Sequence, residues 1–262
     1  MYKKYNMARI KGAMLRRMED YKYKLYWALH PEFARRNAER IAAYRNLFEG
    51  KRCFVLGNGP SLKKTDLSKL NGEICFGANR IYLIKEEGVH FEPTFITSID
   101  AKLLAQFHEE IAAQPIPKFI SWKYHALFAE DEHTAFIKIN YEKKFSTDLT
   151  DYCWGGHTVT FVNLQLAYYM GFSEVVLIGC DHSYAGAGAP NTDVKIKEVD
   201  ENHFSKSYYL KGNTFRIPDY ENQEYAYTLA RKAFEKEDRR ILDATLEGKL
   251  QVFDKVEYDS LF

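Results

Sequence analysis

Arg52-Cys53-Phe54-Val55-Leu56-Gly57-Asn58-Gly59-Pro60-Ser61 is a short apolar run that stops at a glycine and gives way to a polar, glycine-rich turn. A run of this length without polar alternation is expected of a strand buried on both faces, as in a parallel sheet. Similar runs follow at residues 73–78, 94–99 and 118–122, with helical stretches between several of them. The clearest unit spans residues 158–181. There a helical pattern through Val162, Leu164, Leu166, Ala167 and Met170 meets Gly171 and is followed by Val175-Val176-Leu177-Ile178-Gly179. This alternation predicts a Rossmann-like α/β fold, a mainly parallel sheet with helices on both faces. Residues 220–239 read as a long amphipathic helix whose apolar side chains serve packing.

Upstream of this region the texture differs. Residues 1–50 are helical in pattern and basic, with Lys3, Lys4, Arg9, Lys11, Arg16, Arg17, Lys22 and Lys24 among Met14, Leu15, Tyr21, Leu25, Tyr26 and Leu29. Pro31 divides the segment into two helices. The chain thus reads as an N-terminal arm, 1–50, and a nucleotide-binding catalytic domain, 51–262. The arm either packs on the main domain or on another subunit of a homo-oligomer, or lies on a membrane surface, drawn to anionic lipid or a lipid-linked acceptor.

Composition narrows the function classes. The 262 residues are 46% hydrophobic and 28% charged, with a net charge of +1, which gives no global reason to expect nucleic-acid binding. Cys53, Cys75, Cys153 and Cys180 form no C-x-x-C pair and no ligand cluster, so buried free thiols in a reducing compartment are expected, not a zinc site. There is neither a signal-peptide pattern nor an apolar run near the ~20 residues of a membrane span. A cytoplasmic protein is expected, with the inner face of the membrane as the place of any peripheral contact through the arm.

Open parallel sheets bind ligands beyond the carboxyl ends of their strands, and this sequence places polar residues there. After the first run come Gly57, Asn58, Gly59 and Ser61; after the second, Asn79; after the third, Asp100; after the run ending at Gly179, Asp181, His182, Ser183 and Tyr184. Two glycines let the backbone approach a ligand, and Asn58 and Ser61 offer hydrogen bonds to phosphate or sugar oxygens. The loop matches neither the P-loop nor the G-x-G-x-x-G fingerprint. A tight strand-to-helix turn is the plainer alternative. Asn79 is otherwise a turn residue and Asp100 a helix cap, unless they hold nucleotide, ribose or metal. Gly155-Gly156-His157-Thr158 stands before a helix, where backbone amides bind phosphate. Residues 185–191 begin a flexible crossing and 193–213 are polar and aromatic, which predicts a mobile lid over about 185–213. His203 within it, and His182 facing the same crevice, suit proton transfer. Tyr184, Tyr208 and Tyr209 can donate to a departing phosphate.

The strings GNGPSL (57–62), ANRIYL (78–83), TVTFVNLQLAYYMGFSEVVLIGCDHSY (158–184) and ENHFSKSYY (201–209) resemble the MptE-like domain family. That family is named for an archaeal 6-hydroxymethylpterin diphosphokinase and is widespread in bacterial polysaccharide and flagellin-glycosylation loci. The resemblance runs over about 51–262 and includes a closing strand and turn at Arg239 to Thr245 and Gly248 to Leu250. The glycine-rich loop, the asparagine after the second strand and the glycine-x-aspartate after the apolar strand also resemble bacterial lipooligosaccharide sialyltransferases. That likeness implies that Asn58, Gly59, Ser61 and Asn79 contact a CMP-activated sugar, that Gly179 and Asp181 lie near base or ribose, and that His203 is a lid histidine acting as base.

Two reactions follow from these likenesses. In glycosyl transfer from a CMP-activated sugar to a glycan or lipid-linked acceptor, as in bacterial surface-glycan assembly, His203 deprotonates the acceptor hydroxyl and no cofactor or metal is required. In pyrophosphoryl transfer from ATP to 6-hydroxymethylpterin, Mg²⁺ is required and Asp100 and Asp181 are its candidate ligands. The basic arm and the lack of a D-x-D motif at Asp181 favour the first. A nucleotide-binding accessory protein without catalysis is a third reading.

Overall fold

In the computed structural model, which describes residues 7–186 and 188–262, the run after Lys51 becomes β1 (Arg52–Leu56) at the centre of an eight-stranded sheet. Ala187 of the expected lid, and Lys3 and Lys4 of the arm, lie outside the described residues. The remaining strands are β2 (Cys75–Ala78), β3 (Phe95–Ser98), β4 (Lys118–Ser121), β5 (Thr134–Ile137), β6 (Ile139–Asn140), β7 (Cys153–Trp154), β8 (Glu174–Ile178), β9 (Asp193–Lys195), β10 (Thr214–Arg216), β11 (Arg240–Asp243) and β12 (Asp254–Lys255). The main sheet runs β12-β11-β8-β1-β2-β3-β4-β5, and every pairing in it is parallel. The Rossmann-like α/β class expected from the sequence is the class observed. Two short ladders, β9 with β10 and β6 with β7, stand apart.

The chain builds β1 through β5 in one direction, then returns to β8 on the other flank of β1. The sheet therefore reverses its order between β1 and β8, whose residues pair in register from Arg52 with Glu174 to Leu56 with Ile178. At such a reversal the two following loops diverge to opposite faces and leave a crevice at the strands' carboxyl ends. The loops that meet there are the ones after Leu56 and after Ile178.

The helices are α1 (Met7–Leu29), α2 (Pro31–Ala42), α3 (Ala101–Ala112), α4 (Val159–Tyr169) and α5 (Tyr220–Glu235). Every residue of α4 from Thr160 to Ala167 is buried, as expected of a helix clasped between the sheet and another helix. Because α4 leads directly into β8, its N-terminus lies at the same sheet edge as the crevice. Between β1 and β2, and between β2 and β3, the crossings contain short 3₁₀ turns (Pro60–Lys64, Leu67–Leu70, Ile81–Glu87) and no full α-helix. Phe54, Val55, Leu56, Phe76, Val175, Val176 and Leu177 are wholly buried.

The chain divides into two compact units, with the break after Ala43, seven residues before the boundary expected at Gly50. Tyr44 and Phe48, both half-buried, pack on the second unit's core. Tyr44 meets Phe95 and Phe119 edge-on, and Phe48 stacks on Phe172. In the first unit Pro31 opens α2 after His30, and Trp27 of α1 stacks on Phe33 of α2 at 5.3 Å.

Candidate active site

A cleft of about 210 Å³ lies over the carboxyl ends of β1 and β8. Its walls include Gly57, Asn58 and Gly59 after β1, Asn79 after β2, Gly179, Asp181 and His182 after β8, the first turn of α4 at Thr158 to Thr160, and His203 and Tyr208 from the expected lid. Tyr220, Gln223 and Tyr227 of α5 close it from the side. Ten of the sixteen residues singled out in the sequence converge here: Gly57, Asn58, Gly59, Asn79, Thr158, Gly179, Asp181, His182, His203 and Tyr208. Ser61, Asp100, Gly156, His157, Tyr184 and Tyr209 are not among the lining residues.

The glycines of the first loop are fixed by close approach. A Cβ on Gly57 would stand 2.2 Å from the Gly179 carbonyl oxygen, and one on Gly59 would stand 1.9 Å from Oδ2 of Asp181. The space left by Gly59 is where the Asp181 carboxylate sits. Its Oδ1 accepts from the Ser61 amide at 3.1 Å and its Oδ2 from Ser61 Oγ at 2.7 Å. Ser61 therefore acts one step behind the cleft, anchoring Asp181. Lys249 N in turn donates to the Asp181 carbonyl at 3.0 Å, so the C-terminal turn braces the same loop.

Asn58 donates from Nδ2 to the Ala78 carbonyl at 3.1 Å, which fixes the orientation of its amide. Oδ1 is then an inward acceptor that is buried without a hydrogen-bond partner among the described residues. A buried unsatisfied acceptor costs about 1–3 kcal/mol, a cost that a ligand amine or hydroxyl would remove. Asn79 and His182 both hold left-handed backbone, with φ of 52° and 53°, a conformation that side chains other than glycine adopt at a cost. Asn79 Oδ1 accepts from Ser98 Oγ at 2.9 Å, and His182 Nε2 meets Oε1 of Glu224 at 2.9 Å.

His203 is the most constrained of the titratable groups. Its Nδ1 lies 2.7 Å from Oδ2 of Asp200, whose side chain is 1% exposed. An ionised carboxylate can only accept, so Nδ1 carries a proton, and in the neutral imidazole Nε2 is then the acceptor nitrogen. The imidazole lies flat on the Tyr208 ring, 4.0 Å between centroids and 2° from parallel. Burial pushes the Tyr208 hydroxyl well above its ordinary pKa, partly offset by its hydrogen bond to Asn79. Asp200 escaped the sequence reading, because Glu198 and Glu201 flank it in the same polar stretch.

The segment that carries this dyad is held down at several points. Phe204 N donates to the Asn58 carbonyl at 2.9 Å, and Asp200, Phe204, Ser205, Tyr208 and Tyr209 are buried. Arg80, 4% exposed, donates from Nη1 to the carbonyls of Ser207, at 2.8 Å, and Tyr208. Its guanidinium pairs with Glu110 at 2.6 Å and covers the Phe107 ring at 3.8 Å. Within the expected lid, exposure is concentrated between Ala185 and Val199.

The candidates outside the cleft lining make the following contacts. Asp100 caps α3, accepting from Leu103 N at 2.8 Å. Gly156, at φ 57°, leaves no room for a Cβ against Phe161. His157 Nδ1 lies 3.7 Å from Asp219, the residue that caps α5. Tyr184 packs on Phe215, and Tyr209 is buried beside Phe107. Of the pair considered for Mg²⁺, Asp181 lines the cleft and accepts from Ser61 through both oxygens, while Asp100 caps α3 and is not among the lining residues. Among the described residues no three His, Cys, Asp or Glu side chains gather as a ligand set.

The family model described as "6-hydroxymethylpterin diphosphokinase MptE-like" matches residues 31–187, more than half of the chain. The chain belongs to the MptE-like family. No curated protein and no solved structure matches it. The MptE-like match takes in the β1 loop, Asn79, the α4 N-terminus and the loop after β8. It ends before Asp200 and His203, short of the extent 51–262 expected from the sequence strings.

Proposed function

We propose that this MptE-like protein is a transferase that binds a nucleotide-activated sugar, a CMP-sugar of the sialic acid, nonulosonate or Kdo type, and passes the sugar to a glycan or lipid-linked hydroxyl in bacterial surface-glycan assembly. The observation that carries the reading is His203, paired with Asp200, on the wall of a cleft that the β1 loop and the α4 N-terminus also line. The first turn of α4 presents the positive end of its dipole, which suits the donor phosphate. The free Oδ1 of Asn58 suits a hydrogen-bond donor on base or ribose.

In the step itself, Nε2 of His203 takes the proton of the acceptor hydroxyl as its oxygen attacks the anomeric carbon. The bond from that carbon to the phosphate oxygen breaks, and CMP leaves with the electron pair. Asp200 holds the imidazole in the tautomer this requires and stabilises the imidazolium that forms. The reading calls for no metal.

The family's description favours a second reading, pyrophosphoryl transfer from ATP to a pterin hydroxyl, which would use the same base. The hydrogen bonds already made by Asp100, as the cap of α3, and by Asp181, to Ser61, weigh against them as its Mg²⁺ pair. His203→Ala protein supplied with a CMP-sugar and a hydroxyl acceptor separates the roles. Retained CMP binding with transfer reduced about 10²–10⁴-fold supports the proposal; unchanged transfer overturns the role of His203. Transfer absent in both proteins, with pyrophosphoryl transfer from ATP in the unaltered one, favours the second reading.

A further inference from the structure

α1 has two faces with different fates. Tyr26 and Trp27 turn toward α2, where Trp27 stacks on Phe33 and Tyr26 meets Phe33 edge-on at 5.9 Å. The opposite face carries Met14, Met18, Tyr21, Leu25 and Leu29, each between 44% and 67% exposed. At 3.6 residues per turn these five fall within an arc of about 80°. They form one continuous apolar stripe that the helical hairpin does not use.

The borders of that stripe are basic. At the same helical spacing Arg17 and Lys24 fall along one side and Lys22 along the other, all three exposed, while Asp20 lies farther round. The helix as a whole has six basic and two acidic residues, within a chain whose net charge is +1. Long basic side chains beside an apolar stripe can lay their stems on it and direct their charges outward to an anionic layer. A second copy of the helix is a poor occupant, because pairing stripe to stripe would bring Arg17, Lys22 and Lys24 against their own counterparts. No described helix is long and apolar enough to cross a membrane.

We infer that α1 is an interfacial helix that lies on an anionic phospholipid surface, with Met14, Met18, Tyr21, Leu25 and Leu29 in the acyl boundary and Arg17, Lys22 and Lys24 on the headgroups. The full chain is tested by flotation with phosphatidylcholine vesicles, with and without about one third phosphatidylglycerol. Binding is expected to the anionic vesicles alone and to be released by high salt. Each of Arg17→Glu, Lys22→Glu and Lys24→Glu should lower partitioning at least about fivefold. Leu25→Asp should abolish it while circular dichroism shows the helix content unchanged.

Failure of the unaltered chain to float with anionic vesicles overturns the inference. So does binding that the charge variants leave intact. A lipid-free dimer by light scattering that Met18→Asp dissociates would instead assign the stripe to a second copy.

Discussion

Asp200 Oδ2 holds Nδ1 of His203 at 2.7 Å while the imidazole lies flat on Tyr208. Asp200 and Tyr208, from the same segment, thus fix the orientation of the His203 imidazole. Asp200→Asn removes the charge that favours the imidazolium but keeps the shape. It is expected to lower kcat at least about tenfold with KM little changed, because the group acts on proton transfer and not on donor binding. Steady-state kinetics on the CMP-sugar check this. A matched rise in KM with constant kcat would show a binding role instead.

Gly59 gives up its side chain to the Asp181 carboxylate. Gly59→Ala is expected to cost about 1–3 kcal/mol of stability by denaturant titration and to weaken nucleotide binding, because the Asp181–Ser61 bonds must move. Removing the carboxylate as well relieves the clash. Gly59→Ala with Asp181→Ala should therefore be less destabilised than the sum of the single changes.

Arg80 pins the Ser207 and Tyr208 carbonyls from below. Arg80→Ala strands those carbonyls and is expected to cost about 1–3 kcal/mol, while the half-exposed Glu110 stays solvated and keeps its hydrogen bond from Tyr82. Glu110→Ala leaves the carbonyl bonds and the Phe107 contact in place and should cost less. Chemical unfolding of both variants checks the order, and hydrogen exchange should show residues 200–209 loosened in Arg80→Ala.

Burial holds the hydroxyls of Tyr208, Tyr209 and Tyr227 well above their ordinary pKa, and that of Tyr220 is pushed up to about 12 by burial and by the charges of Asp181 and Tyr184. In the unfolded chain these groups ionise near pH 10, so above that pH the unfolded state binds fewer protons and stability falls as pH rises. Melting temperature is expected to drop between about pH 10 and 12. The tyrosinate absorbance of Tyr208, Tyr209 and Tyr227 should appear only with unfolding.

The sheet was legible because β1, β2, β3, β4 and β8 are continuous apolar runs that end at polar residues. β5 was not, since Thr134-Ala135-Phe136-Ile137 is short and follows the acidic turn at Asp131 and Glu132. The 3₁₀ crossings were also hidden, because a few apolar residues at helical spacing do not distinguish one turn from three. The β1 loop, Asn79 and the α4 N-terminus could be placed from strand ends alone. Asp200 could not. It is one acid in a polar stretch, and burial in the folded chain sets it apart. Asp100 and Asp181 reverse the lesson, since each accepts from a neighbouring backbone amide or hydroxyl that strand-end position does not reveal.

Thermal shift of the purified chain with CMP, CTP and ATP, each with and without Mg²⁺, tests most directly whether the cleft over β1 and β8 receives a CMP-activated donor. The expected result is stabilisation by CMP without metal, lost when Gly59→Ala displaces the β1 loop. Stabilisation by ATP alone and only with Mg²⁺, with no response to CMP, would contradict it.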